Sequence, residues 1–151
     1  MSYDGAIYTL LSADATLVAI LTGGIYHKRD MTTEGIDRDG TPDAFDTIGL
    51  LKPCLVVSGR GNIPTNQLAD PATQYTTTSQ VVELWFYADR DAGLDTLESA
   101  TERVYALLQG KKVTGAARMS LVNELMGRAP ELDNAVFIRH DYQVIGRRVV
   151  V

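Results

Sequence analysis

The sequence predicts one α+β domain in which two or three helices pack on a mainly antiparallel sheet. Leu94, Leu97, Thr101, Val104, Leu107 and Leu108 recur at three- and four-residue spacings, the period of an amphipathic helix. Just before them, Val82, Leu84, Phe86 and Ala88 alternate with Val81, Glu83, Trp85 and Tyr87, the period of a strand. The chain has 151 residues, 45% hydrophobic and 22% charged, which suits one domain around one core.

The elements follow in order. Tyr3, Ile7, Leu10 and Leu11 share a helical face, with Ser2 placed to cap it. Ser12-Ala13-Asp14 interrupts the pattern, and a short second helix carries Leu17, Val18, Ile20 and Leu21. Gly23 and Gly24 stop that helix, since glycine reaches left-handed backbone conformations cheaply. Ile25 to His27 begin a short strand. Residues 28–50 lose all periodicity. They hold six acids against three bases, punctuated by Gly35, Gly40 and Pro42, and read as a long polar loop.

Cys54 to Ser58 form a buried strand, and a second long loop covers 59–76, with Gly61, Pro64 and Pro71. The long strand runs from Thr77 to Ala88. The helix after it spans Ala92 to Gln109, capped by Asp89 or Asp91 and ended by Gly110. Its outward Asp95, Glu98, Glu102 and Arg103 form a solvated face. Arg118 to Met126 then alternate, with Met119, Leu121 and Leu125 on one side and Asn123 between them. Gly127 to Asn134 turn the chain. From Ala135 to Ile145, Val136, Ile138, His140, Tyr142 and Val144 face one way and Arg139, Asp141 and Gln143 the other. Residues 147–151, Arg147-Arg148-Val149-Val150-Val151, form a basic pair before an apolar tip that needs something to hold it.

Composition narrows the function. A net charge of −5 and a pI near 4.9 oppose non-specific grip on nucleic acid, which requires a basic face to displace counterions. The same balance suits a wall that repels phosphate. Cys54 is the one cysteine, so neither an internal disulfide nor a cysteine-rich zinc site can form, and its apolar neighbours mark a buried, inert thiol. The start lacks the pattern of a signal peptide, and no apolar run reaches the ~20 residues of a membrane span.

The search for chemistry is largely negative. His27 and His140 form no HExxH pair or histidine–cysteine cluster, and His140 in an apolar row reads as a core or interface residue. Gly59-Arg60-Gly61 lacks the third glycine and the following helix of a dinucleotide fingerprint, so it reads as a turn. Asp37, Asp39 and Gly40 lack the full spacing and terminal Glu of a calcium loop. No catalytic, cofactor-binding or metal-binding residue is assigned, and no cofactor is expected. A spatially scattered site would escape such a search.

A resemblance supplies a positive expectation. Ile7-Tyr8-Thr9-Leu10-Leu11-Ser12-Ala13-Asp14-Ala15-Thr16-Leu17-Val18-Ala19-Ile20-Leu21-Thr22-Gly23-Gly24-Ile25-Tyr26 resembles the opening of the tail-completion, or tail-terminator, proteins of long-tailed bacteriophages. Lys52-Pro53-Cys54-Leu55-Val56-Val57 is similar to their proline-led strand. Val81 to Ala88 resembles their long strand, and Phe137 to Val144 their closing strand.

The resemblance implies a structural virion protein without covalent chemistry, found in the virion neck and in the host cytoplasm during assembly. It implies a homo-oligomeric ring, commonly a hexamer, that ends the tail tube and offers the head-joining surface. The tail tube protein and a connector or stopper protein are its implied partners, and DNA passes through the lumen without specific binding. No membrane is involved. A ring subunit needs two unlike faces for head-to-tail contact. Trp85, Tyr87, Arg139, Arg147 and Arg148 are the candidate contact residues, and Asp37, Asp39, Asp43 and Asp46 the candidate lumen acids. Another neck or connector component is the nearest alternative. A ligand-binding module using Trp85 and Tyr87 as a stacking wall, or a small enzyme with a scattered site around His27 or His140, would need a pocket gathering those residues.

Overall fold

The computed structural model describes residues 3–61, 63–64, 75–91, 93–113 and 116–149. Within them the chain forms α1 (Asp4–Ser12), α2 (Ala15–Ile20), β1 (Ile25–His27), β2 (Cys54–Gly59), β3 (Ile63–Pro64), β4 (Tyr75–Ala88), α3 (Leu94–Leu108), β5 (Ala116–Ala129) and β6 (Ala135–Val149). One sheet runs in the order β1-β2-β4-β6-β5, with β3 also on β4. Only β1 and β2 pair in parallel; the rest is antiparallel. This is the predicted α+β class.

The three helices build one core with one face of the sheet. Ile7, Leu11, Leu17, Leu97, Val104 and Leu108 are fully buried against Leu55, Val57, Leu84 and Phe86. These are the residues that the helical and strand periods selected. On the opposite face Cys54 and Val56 alternate outward from β2 and are buried too, under a second cluster that includes Ile36, Ala44 and Leu51. Both faces of β2 are therefore apolar and both are covered.

Several boundaries differ from the sequence reading. Ser2 and Ala92 lie outside the described residues, as do 65–74 of the second loop. That loop is shorter than expected, because Ile63 and Pro64 pair with Ser79 and Thr78, and β4 already starts at Tyr75. Helix α3 starts on Gly93 with no side-chain cap, so neither Asp89 nor Asp91 caps it; the Asp89 carboxylate instead accepts from the Asp91 amide at 3.4 Å. Gly110, at φ 71°, ends the helix as expected. The terminal segment is not free along its whole length, since Arg147 to Val149 continue β6 opposite Thr77 to Tyr75.

The largest correction concerns β5. The register jumps between Leu121 and Asn123, leaving Val122 as an extra residue, a β-bulge. Met119 and Leu121 lie opposite Val144 and Tyr142, on the helix-covered face. After the bulge the alternation reverses. Met126 pairs with Ile138 on that face, and Leu125 pairs with Arg139 on the other. Leu125 therefore does not share a side with Met119 and Leu121, because one inserted residue shifts a period-two pattern by one. The β5–β6 turn is tight, closed by Asp133 and Asn134 at φ 56° and 58°, residue types that tolerate the left-handed region.

The glycine pair after α2 has a second role. The Gly23 amide donates to the Pro53 carbonyl at 2.7 Å, and a Cβ there would lie 2.8 Å from the carbonyl oxygens of both Lys52 and Pro53. Backbone approach, rather than helix termination alone, requires glycine. Gly23→Ala is expected to lose about 1–3 kcal/mol by overpacking, measured by urea denaturation; an unchanged midpoint would mean the two segments separate at no cost.

Arg103 also leaves the solvated face assigned to it. Its guanidinium grips Asp14 in a fork, Nε to Oδ2 at 2.9 Å and Nη2 to Oδ1 at 2.7 Å. Asp14 caps α2 through the Leu17 amide at 2.9 Å, so one carboxylate joins two helices. The Arg103 bonds, then the Leu17 amide, hold its carboxyl at about 2, below the usual 3.8. A lowered folded pKa stabilises above the unfolded value and is lost as pH falls from 3.8 toward about 2. Asp14→Asn keeps a cap and loses the ion pair. The stability gap between wild type and variant should be widest near neutrality and close on acidification, as read from urea midpoints across pH; a constant gap would contradict the linkage.

Candidate assembly surfaces

The aromatic face of β4 is covered by the chain itself. Residues 28–50 fold over it with two single-turn 3-10 segments, Lys28–Asp30 and Pro42–Ala44, and a Phe45–Leu51 bridge. Ile36, Thr41 and Ala44 are buried. The segment is polar in composition yet anchored by a few apolar residues spaced too irregularly to show a period. Trp85 and Tyr87 are half-buried in this second cluster beside Phe45 and Leu132. Their rings stack at 6.2 Å, and Phe137 meets Trp85 at 5.5 Å. Burial pushes the Tyr87 hydroxyl up to about 12 and the Cys54 thiol likewise to about 12, so the thiol stays protonated and unreactive.

A cleft of about 270 Å³ remains beside Trp85 and Tyr87, edged by Lys28, Glu34, Ser58 and Glu83. It falls below the ~300–1,000 Å³ of ordinary ligand pockets. Arg139 lies in the same surface. Its guanidinium carbon sits 5.3 Å from the Trp85 ring centre, its Nε is 3.2 Å from Asp141, and Glu83 is 3.9 Å away. Arg139 is thus charge-balanced within the sheet. The backbones of Arg147 and Arg148 lie at the far end of β6, opposite Thr77 and Thr76, away from this cleft in register.

All four loop acids are exposed, and they divide into two kinds. Asp37 accepts from the amides of Asp39 at 2.7 Å and Gly40 at 3.4 Å. Asp46 accepts from Ile48 at 3.0 Å and Leu50 at 2.9 Å. These two shape the loop by local side-chain-to-backbone bonds, a role that an acid count does not reveal. Asp39 and Asp43 carry no such bond among the described residues.

Both histidines gained partners that sequence spacing hid. His27 Nε2 lies 2.6 Å from the buried Asp4, and Arg29 reaches the same carboxylate at 3.5 Å. Tyr8 stacks on the His27 ring at 5.3 Å. A hollow of about 170 Å³ adjoins, too small for most substrates. This dyad fastens α1 to β1, and Gly59 makes room for it, since a Cβ there would meet the Asp4 side chain at 2.7 Å. His140 is 4% exposed on the helix-covered face. Its Nε2 lies 2.6 Å from Glu124, while Nδ1 has no partner. Among the described residues no group of three or more His, Cys, Asp and Glu side chains is arranged to hold a metal ion.

Among the described residues, two further surfaces lie at the β5 edge and at the end of α3. Among the described residues, one side of β5 has no strand beside it. Val122, Leu125 and Met126 are 53%, 45% and 51% exposed there, an apolar strip on an open edge of the kind that natural sheets normally screen. Between β5 and α3 runs a groove of about 340 Å³, with Tyr105, Met126, Ile138 and His140 in its lining and Glu98, Glu102 and Glu124 among its polar groups. Glu98 and Glu102 stand one helical turn apart, a like-charge pair that costs about 0.2–0.5 kcal/mol in an isolated helix. At the other end of α3, Lys111, Lys112 and Arg118 are exposed, and none forms an ion pair among the described residues. No described helix is long and apolar enough to cross a membrane.

No family model and no curated protein matches this chain. A solved structure described as "Virion of native gene transfer agent (GTA) particle" contains a chain with the same fold, at a TM-score of 0.60 and 16% identity. The match covers 97% of this chain and 96% of that one, so the whole α+β arrangement described above is shared from end to end.

Proposed function

We propose that this chain is a structural virion protein of a phage-type tail or neck. In this reading it forms a ring at the head-proximal end of the tail tube, ends tube polymerisation and offers the head–tail joining surface. The observation that carries the reading is the end-to-end fold match to a chain of a gene transfer agent virion. The order of elements from α1 to β1 and the proline-led β2 supports the tail-terminator form of it. Copies of the chain, six to a ring, would contact the tail tube protein on one side and a connector or stopper on the other. DNA would slide through the lumen, and the protein would reside in the virion after assembly in the host cytoplasm.

Other features fit an assembly role better than catalysis. The His27–Asp4 pair is buried and the His140–Glu124 pair has its carboxylate exposed, and each joins two elements. The open surfaces are an apolar strand edge and two patches of opposite charge, which suit heterologous contacts between subunits. Another neck component shares this logic and is the nearest rival. Trp85, Tyr87 and Arg139 remain proposed contact residues through the parts of them that the 28–50 segment leaves open.

Native mass spectrometry of the purified chain, alone and with the tail tube protein, tests the proposal. The expected result is a closed ring, either free or formed on the tube end. A chain that stays monomeric and ignores the tube would overturn it. Asp37, Asp39, Asp43 and Asp46 are the proposed lumen charges, and Asp39 and Asp43 are the two to replace, because their loss leaves the Asp37 and Asp46 turns intact. Asp39→Asn with Asp43→Asn should slow DNA passage in assembled particles without altering thermal stability. Ejection at the wild-type rate would remove these acids from the lumen.

A further inference from the structure

We propose that the acidic groove between α3 and β5 receives the basic end of a second copy of this chain, and that this pairing is the repeated contact of the ring. The inference rests on the ring reading above and names the two surfaces that close it. The groove offers Glu98 and Glu102 without a cationic partner among the described residues, beside exposed Tyr105 and Met126. At its lining sits His140, almost fully buried, with one ring nitrogen bonded to Glu124 and the other unpartnered.

The complement lies on the same molecule. Lys111 and Lys112 follow α3, and Arg118 lies near the start of β5 opposite Ile145. Arg147 and Arg148 lie one strand further on, where β6 ends, with Gly146 opposite Ala116. Lys111, Lys112 and Arg118 thus share one end of the sheet, the end at which the backbone of Arg147 and Arg148 also lies. The chain cannot bring that end to its own groove. Glu124 pairs with His140, and Gly146 lies six residues along β6, roughly 20 Å away at the rise of an extended strand. Uncompensated acids and uncompensated bases, fixed apart on one rigid sheet, are satisfied together when each copy meets the next. Two unlike patches on one subunit give a head-to-tail contact, the kind that closes rings. Exposed Met126 lines the groove and would be covered in the same contact.

Charge reversal tests this with wild-type assembly as the reference. Variant one carries Glu98→Lys and Glu102→Lys; variant two carries Lys111→Glu and Lys112→Glu. All four positions are exposed, and circular dichroism should match wild type for both. Each variant alone is expected to lose ring formation by about tenfold or more, since like charges then face each other. A one-to-one mixture should recover rings with the two variants in equal number, because each altered groove then meets an altered end. A single chain carrying all four changes should also recover them. If folded variants form rings as well as wild type, or if neither the mixture nor the combined chain recovers them, the proposed pairing is wrong while the ring stands. If wild type itself forms no ring with or without the tube protein, the ring reading falls and this pairing with it.

Discussion

The fold depends on the need to cover both faces of its central strands. Leu55 and Val57 leave β2 on one side and Cys54 and Val56 on the other, and all four are buried. Burying such side chains is worth about 1.5–3 kcal/mol each, so neither face can be left to water. Three helices cover one face. The other has no α-helix among the described residues, and the 28–50 segment takes that place with a handful of apolar anchors, Ile36, Ala44 and Leu51. A stretch that composition marks as a polar loop is in this way a structural layer.

That arrangement explains where charge collects. Inner strands spend their polar groups on each other, as Arg139, Asp141, Asn123 and Glu83 do around one turn of the ladder. Asp14 and Arg103 likewise join α2 to α3. What remains unspent is pushed to the margins of the sheet: acids along α3 beside β5, and bases at the end where α3 and β6 finish. The margins are also where exposed apolar side chains survive. A subunit whose interior is balanced and whose edges are not is suited to assembly.

Much of this was legible in the sequence, and the reasons for the rest are physical. The helix-facing core followed from periodicity, because Leu97, Val104, Leu84 and Phe86 sit on elements long enough to show a period. Partners distant in sequence did not follow. His27 and Asp4 are 23 residues apart and Asp14 and Arg103 are 89 apart, and no local spacing encodes either pair. The roles of Asp37 and Asp46 were hidden because an Asx-type turn uses the same residue that a solvated loop would. Leu125 was placed on the wrong face because a bulge breaks a two-residue alternation with no residue type that announces it. Trp85 and Tyr87 stand out in the sequence as aromatic residues on an outward strand face, and in the fold their cover comes in large part from the chain's own 28–50 segment.

The bulge at Val122 divides one strand into two territories. Upstream, Met119 and Leu121 belong to the core and are held to its volume and shape. Downstream, the exposed residues up to Arg128 answer to whatever lies outside the molecule. A single extra residue insulates these halves from each other. Substitutions in the outer half therefore change the surface, while the inner half keeps the fold, so surface and core can vary along the same strand without trading one against the other.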